Sequence, residues 1–198
     1  EPLTRKVNFD FAAAGYTMML VVTGKGHADL SAEYSAVPQE MKAVASFFGQ
    51  DTLRGLSFED ITKNLPALRE KFGDRAVMRS LHFFEENVRV EKEIEALEKG
   101  DFDSFLKLVE ASGNSSWKWL QNICVPGVAE EQPMAICLAL SEYFIRTHNK
   151  GACRLHGGGF AGVILPSSVL SNTGIYTATR EILLKYFKVV AITEFGSN

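Results

Sequence analysis

The sequence lacks any long apolar run, any excess of one charge and any regular cysteine pattern. No stretch approaches the roughly 20 apolar residues of a membrane-spanning helix, and the polar start does not resemble a signal peptide. The formal net charge is only -3, so the sequence predicts neither nucleic-acid nor membrane binding. The three cysteines include no Cys-x-x-Cys pair, which favours reduced thiols in a cytoplasmic protein.

The composition is that of an ordinary globular protein. Of the 198 residues, 46% are hydrophobic and 23% are charged. This length predicts a single domain over residues 1–198. The chain begins with Glu1 rather than methionine, so we expect either a processed protein or a piece of a longer one.

The pattern of apolar residues predicts one strand, a run of helices, two adjacent strands, a helix and a last strand. Strands are predicted at 16–23, 152–156, 160–165 and 188–194. A helix is predicted at about 36–48, with Pro38 in its first turn. Further helices are predicted at about 74–99, 131–148 and 172–187, and shorter ones are expected after the cap candidates Ser57, Asn64 and Asp101. The helix at 131–148 is apolar on nearly every side and is expected to be deeply buried. The order predicts an α+β, ferredoxin-like fold, with helices packed on a small, mainly antiparallel sheet of about four strands.

A glycine-rich corner separates the two adjacent strands. Four of six positions are glycine, namely Gly157, Gly158, Gly159 and Gly162. Such corners let the backbone approach a ligand and often present N–H groups to anions. The spacing also matches the dinucleotide fingerprint, but that motif requires the glycines to open a helix, and here a strand follows. We therefore expect no NAD binding. A tight hairpin with nothing bound is the open alternative.

The spacing of His82 and Glu86 raises the question of a metal site. His82 and Glu86 lie four residues apart, with Arg79 one turn earlier, and a metal site would need ligands that the nearby sequence does not supply. We therefore expect no metal site and favour an i,i+4 contact between His82 and Glu86.

Tyr34 is either a half-buried residue with its hydroxyl in water or a phenol directed into a polar pocket.

Four segments, taken in order, resemble the C-terminal half of galactokinases, a family within the GHMP superfamily of small-molecule kinases. The segments are His27-Ala-Asp-Leu-Ser-Ala-Glu33-Tyr34, Arg79-x-x-His82-x-x-x-Glu86-Asn87-x-Arg89-Val90, Gly100-Asp101-Phe102 with Glu110-x-Ser112, and His156-Gly-Gly-Gly-Phe-Ala-Gly162. The resemblance covers nearly the whole chain, from about residue 7 to 194.

The resemblance implies transfer of the γ-phosphoryl group of ATP to the anomeric hydroxyl of galactose or a similar small sugar. It implies that Tyr34 contacts the sugar. It also implies an active-site glycine loop formed by His156, Gly157, Gly158, Gly159, Phe160 and Gly162. ATP and Mg²⁺ would be held mainly by an N-terminal domain, so residues 1–198 would be the C-terminal half of a longer two-domain kinase. No catalytic residue is expected in this chain.

The sequence also departs from the family. His156 stands where threonine is usual, Ala161 where glycine is frequent, and residues 35–40 replace a basic stretch. A non-catalytic sugar sensor, a kinase for another small alcohol and a free-standing assembly domain are the alternatives. If a domain is missing, we expect an exposed apolar face near Tyr34 and the glycine corner, which a homodimer would cover.

Overall fold

A computed structural model describes residues 6–22, 31–148, 150–156, 160–168 and 188–193 of the chain. The strands are β1 (Tyr16–Val22), β2 (Ala152–His156), β3 (Phe160–Pro166) and β4 (Lys188–Thr193). The helices are α1 (Ser31–Phe47), α2 (Phe58–Lys63), α3 (Leu65–Glu98), α4 (Phe102–Ser115) and α5 (Pro133–His148), with a π-helical turn (Ser116–Leu120) directly after α4. Within these residues, no helix is both long and apolar enough to cross a membrane.

The chain divides into two compact units. The sheet unit comprises Glu1–Lys25, Glu91–Ala111 and Pro133–Asn198, and the helical unit comprises Gly26–Val90 and Ser112–Gln132. The prediction that residues 1–198 form one domain of a longer kinase stays a prediction.

The sheet has the strand order β2-β3-β1-β4, and every neighbouring pair is antiparallel. The first strand therefore lies between the third and the fourth, which is the split arrangement of ferredoxin-like folds. The predicted α+β class with a four-stranded antiparallel sheet is confirmed. The predicted strand bounds agree with the observed ones to within one residue.

Both faces of the sheet are covered. On one face α5 packs against β2 and β3, and the Cys153 thiol lies 4.0 Å from the Leu138 carbonyl oxygen of that helix. On the other face Ala152 and Ile164 pack with an aromatic cluster. The rings of that cluster belong to Phe9, Phe11, Tyr16, Phe102 and Phe105. Alternate side chains of β2 and β3 point to opposite faces, so these two short strands contribute to two cores.

The α5 helix is not buried all round, contrary to the expectation from its sequence. Cys137, Leu138 and Ser141 are buried. In contrast, Ile136, Leu140 and Tyr143 are 56%, 42% and 59% exposed and follow one helical face. Because both faces of the helix are apolar, composition alone could not distinguish the packed face from the exposed one.

The α1 helix begins at Ser31, several residues earlier than predicted, so Pro38 lies inside the helix and not in its first turn. A proline in the interior has no N–H to donate to the carbonyl four residues earlier, which here belongs to Tyr34.

The predicted cap at Ser57 is confirmed, since its hydroxyl accepts a hydrogen bond from the Asp60 N–H at the start of α2. The core of the helical unit includes Val44, Ala45, Leu53, Ile61, Leu68, Ala76 and Val77.

The α3 helix is broken at Gly73, which has φ 81° and ψ 165°. The helical segment after the break, 74–98, is the helix that the sequence predicts at 74–99. An ion pair at 2.6 Å between Arg69 Nε and Asp74 Oδ1 links the two segments across the break. The predicted helix at 172–187, the residue His27 and the three glycines 157–159 lie outside the described residues.

We predict that Gly73→Ala and Gly73→Asn both lower the free energy of unfolding, by about 1–3 kcal/mol. Apart from its chain neighbours and the nearby backbone of its own helix, no atom of the described residues lies within 4 Å of a Cβ at Gly73. The cost therefore comes from the backbone conformation, which only glycine adopts readily. Urea denaturation would measure it. The exposed neighbour substitution Glu70→Ala should change stability by less than about 0.5 kcal/mol. An unchanged or higher stability of Gly73→Ala would contradict the observed break.

Candidate functional site

Tyr34 lies near the N-terminus of α1, and its side chain is 42% exposed. It lines a pocket of about 200 Å³ within the helical unit. Partial burial raises the pKa of its phenol above the ordinary value. The hydroxyl is therefore protonated at neutral pH and can donate as well as accept a hydrogen bond.

Three parts of the helical unit build this pocket. The lining residues are Glu33, Tyr34, Val37 and Pro38 from α1, Arg79 from α3, and the six residues 121–126 that follow the π-helical turn. The lining combines apolar side chains with several polar and charged ones. Pockets of this composition are typical small-molecule sites, where apolar walls give affinity and the polar groups orient the ligand.

A chain of alternating charges extends from the pocket wall to the residue beside Tyr34. The Arg79 side chain is only 1% exposed; its Nε donates to the Leu120 carbonyl at 2.9 Å and its Nη1 donates to Glu40 Oε2 at 2.9 Å. Glu40 also accepts from Arg75 Nε at 3.0 Å, and Arg75 Nη1 lies 3.5 Å from Glu33 Oε2. Burial lowers the pKa of Arg79, and the Glu40 carboxylate opposes that effect. The hydrogen bond to Glu40 raises the pKa of Arg75.

The segment after the π-helical turn carries two further unusual features. Gln121 has φ 55° and ψ 50°, and no other non-glycine residue of the described chain has positive φ. The Oδ1 atom of Asn122 is buried and has no hydrogen-bond partner among the described residues. π-Helical turns, positive φ and unpaired buried polar atoms each concentrate at functional sites. No sequence pattern marked this segment, because its features arise from backbone geometry.

The helix motif around His82 has a structural explanation. His82 Nδ1 and Ser115 Oγ are 2.8 Å apart, and the Ser112 hydroxyl donates to the Glu86 carboxylate. Glu86 also accepts a hydrogen bond from Arg89. A row of polar contacts therefore joins α3 to the end of α4. His82 and Glu86, one helical turn apart on α3, each meet a serine of the facing helix, a relation that the sequence could not reveal.

The glycine corner lies between β2 and β3, whose pairing ends at His156 and Phe160. Gly162 lies inside β3 opposite Arg154, and a Cβ built on it would approach the His156 ring to 2.3 Å at Cδ2 and 2.4 Å at Nε2. The ring therefore occupies the space that a side chain at 162 would need. Although one side of His156 is exposed, burial of its ring lowers the pKa, and the nearby charge of Arg154 adds to that effect.

The predicted site residues fall in both units. Tyr34 belongs to the helical unit, whereas His156, Phe160 and Gly162 belong to the sheet unit. The predicted loop residues Gly157, Gly158 and Gly159 lie outside the described residues. No group of three or more histidine, cysteine, aspartate or glutamate side chains in the described part of the chain could hold a metal ion.

We predict that a thiol reagent distinguishes Cys124 from the other two cysteines. Cys124 is exposed at the pocket, whereas Cys137 and Cys153 are buried, with pKa values raised by burial to about 11 and about 12. The thiolate is the reactive form, so at about pH 8 only one thiol of the native chain should react quickly with Ellman's reagent. Unfolding should expose all three. Persistence of the fast reaction in Cys124→Ser would contradict this assignment.

We predict that Gly162→Ala lowers stability by roughly 1 kcal/mol, because the new methyl group displaces the His156 ring. In a His156→Ala background the same substitution should be neutral or stabilising, since the space is then empty and glycine in a strand costs backbone entropy. Urea denaturation of the four variants in a double-mutant cycle measures the coupling. Equal effects in the two backgrounds would show that the ring and Gly162 do not compete for space.

No protein-family model matches the chain. Among curated proteins, the galactokinase of Thermotoga petrophila is 29% identical over 174 residues, which are 88% of this chain and 44% of that protein. A galactokinase of Thermotoga neapolitana is 32% identical with the same coverage. The galactokinase of Streptomyces coelicolor is 29% identical over 90% of this chain and 42% of its own length. The chain therefore spans less than half the length of these relatives, and it matches their C-terminal part.

A solved structure shows the same fold. The crystal structure of Lactococcus lactis galactokinase complexed with galactose matches with a TM-score of 0.63, covering 91% of this chain and 47% of that one. The two sequences are 20% identical, so this likeness concerns the fold alone. It agrees with the α+β sheet described above. The resemblance found in the sequence is thus confirmed: the chain is similar to galactokinases over 88% of its length.

Proposed function

We propose that this chain forms the C-terminal domain of a galactokinase-like enzyme that transfers the γ-phosphoryl group of ATP to the anomeric hydroxyl of galactose. The observation that carries the proposal is the similarity to galactokinases along 88% of the chain. A relative in fold has been solved with galactose bound. Because the chain spans only 44% of such relatives, we infer that a second domain completes the active site.

In this proposal Tyr34 contacts the sugar. Its phenol is partly exposed and lines a pocket with both apolar and polar walls. A tyrosine suits this role because its ring covers an apolar patch of a sugar while its hydroxyl exchanges hydrogen bonds with a sugar hydroxyl. These properties support the assignment of Tyr34 as the substrate-binding residue of the chain.

The glycine corner has a different role in the proposal. His156, Gly157, Gly158, Gly159, Phe160 and Gly162 form the active-site loop. The antiparallel pairing of β2 with β3 fixes both ends of this corner. Phosphoryl transfer depends on positioning the reactants and on donors directed at the developing charge, and glycine backbone N–H groups can be such donors.

ATP and Mg²⁺ are assigned mainly to the other domain. At phosphoryl-transfer sites Mg²⁺ is usually held by one or two carboxylates together with the substrate phosphates, and the proposal assigns those carboxylates to the other domain. No catalytic base is assigned within this chain either. The proposed domain therefore binds and positions the sugar, and it does not perform the transfer alone.

We predict that the full-length gene product phosphorylates galactose and that the 198-residue chain alone does not. In the full-length protein, Tyr34→Phe should lower kcat/KM for galactose by about 3- to 10-fold, the effect of losing one hydrogen bond. Coupled detection of ADP would measure the rates. Tyr143→Phe is the matched control, because Tyr143 is an exposed tyrosine of α5 and does not line the pocket.

Three outcomes would contradict this proposal at different points. Phosphorylation of galactose by the isolated chain would show that its site is complete. A full-length protein that binds galactose but transfers no phosphoryl group would be a sensor and not a kinase. Equal activity of Tyr34→Phe and Tyr143→Phe would remove Tyr34 from the sugar site.

A further inference from the structure

The pocket around Tyr34 contains a fully buried arginine whose hydrogen bonds are directed to two different elements. Arg79 Nε donates to the Leu120 carbonyl, at the end of the π-helical turn, while its Nη1 donates to Glu40 of α1. Burying a charged side chain is costly unless its partners are well placed. A buried charge is not needed merely to hold these helices together, because the apolar core of the same unit already joins α1 to α3.

The first contact determines where the pocket wall begins. Carbonyl groups in the last turn of a helix lack intrahelical partners. Arg79 satisfies one of them at Leu120, immediately before Gln121 adopts its positive φ. The wall segment 121–126 follows directly, and Cys124 is its exposed thiol. The guanidinium therefore fixes the position of Leu120, the residue directly before the wall segment 121–126.

The second contact, from Arg79 to Glu40, determines the position of Tyr34. Glu40 pairs with both Arg79 and Arg75, and Arg75 reaches Glu33, the residue beside Tyr34. The backbone of α1 gives less support here, because Pro38 cannot donate to the Tyr34 carbonyl. The start of α1 therefore depends more on its side-chain anchors at Glu33 and Glu40 than an uninterrupted helix would.

We propose that Arg79 is a positioning residue that fixes the distance between Tyr34 and the 121–126 wall, and that it thereby sets the affinity of the pocket for sugar. Arginine suits this role because its planar guanidinium donates in several directions at once, whereas a lysine ammonium is a single point charge. The part that concerns sugar affinity rests on the proposed function. The part that concerns the pocket geometry does not.

The geometric part is tested on the 198-residue chain with Arg79→Lys and a matched control, Arg69→Met. Arg69 lies on the same helix, and its ion pair with Asp74 is exposed. We expect Arg79→Lys to change the labelling rate of Cys124 by about tenfold, since the wall loses its anchor at Leu120, while the control labels like the unmodified chain. Equal labelling rates in Arg79→Lys and the unmodified chain would overturn the proposal.

The affinity part is tested on the full-length protein. We expect Arg79→Lys to raise KM for galactose by about 10- to 100-fold and to leave KM for ATP unchanged. A merely destabilised enzyme would instead lose kcat through its smaller folded fraction, with both KM values unchanged. That second pattern would overturn a positioning role for Arg79.

Arg75→Met keeps the test decisive if Arg79 variants fail to fold. Arg75 is partly exposed and links Glu33 to Glu40. Its replacement should raise KM for galactose severalfold while Arg79 still holds Leu120, so Cys124 labelling should stay within about twofold of the unmodified chain. An unchanged KM for galactose would overturn the proposal. If the full-length protein acts on no sugar, the proposed function fails, and the labelling experiment still decides the geometric part.

Discussion

The candidate site depends on one buried guanidinium. Arg79 must be desolvated to reach its place in the helical unit, and that cost is recovered only if Glu40 and the Leu120 carbonyl both lie within hydrogen-bond distance. This requirement constrains the rotation of α1, the length of α4 and the geometry of the turn after it. A purely apolar core would tolerate small shifts of these elements, whereas a paired charge does not.

Most of the fold was predictable because its signals are local. The apolar strands that flank the glycine corner, the Ser57 cap and the helix that starts at residue 74 follow from neighbouring residues, and the structure confirms them. The errors arose where the local signal was ambiguous. The early start of α1 was missed because Pro38 suggested a first turn, and the exposed face of α5 was missed because it is as apolar as the packed one.

The candidate site was less predictable because its partners are distant in sequence. Arg79 reaches a carbonyl 41 residues away and a carboxylate 39 residues away. A single sequence cannot show such pairs, since each residue alone is an ordinary charge on a helix. Tyr34 was proposed through the family resemblance, yet the wall at 121–126 has no motif at all. Its positive φ at Gln121 and its unpaired Asn122 oxygen are properties of the folded backbone.

The glycine corner illustrates how one pattern combines separate physical requirements. Gly157, Gly159 and Gly162 match a dinucleotide fingerprint in spacing, but Gly162 is paired within β3 and does not begin a helix. Glycine is needed at 162 because the His156 ring fills the space of a side chain there. A residue without a ring at 156 would leave that space over the strand empty. The requirement for glycine at 162 is therefore tied in this chain to its own histidine, and a change at one position should be judged together with the other.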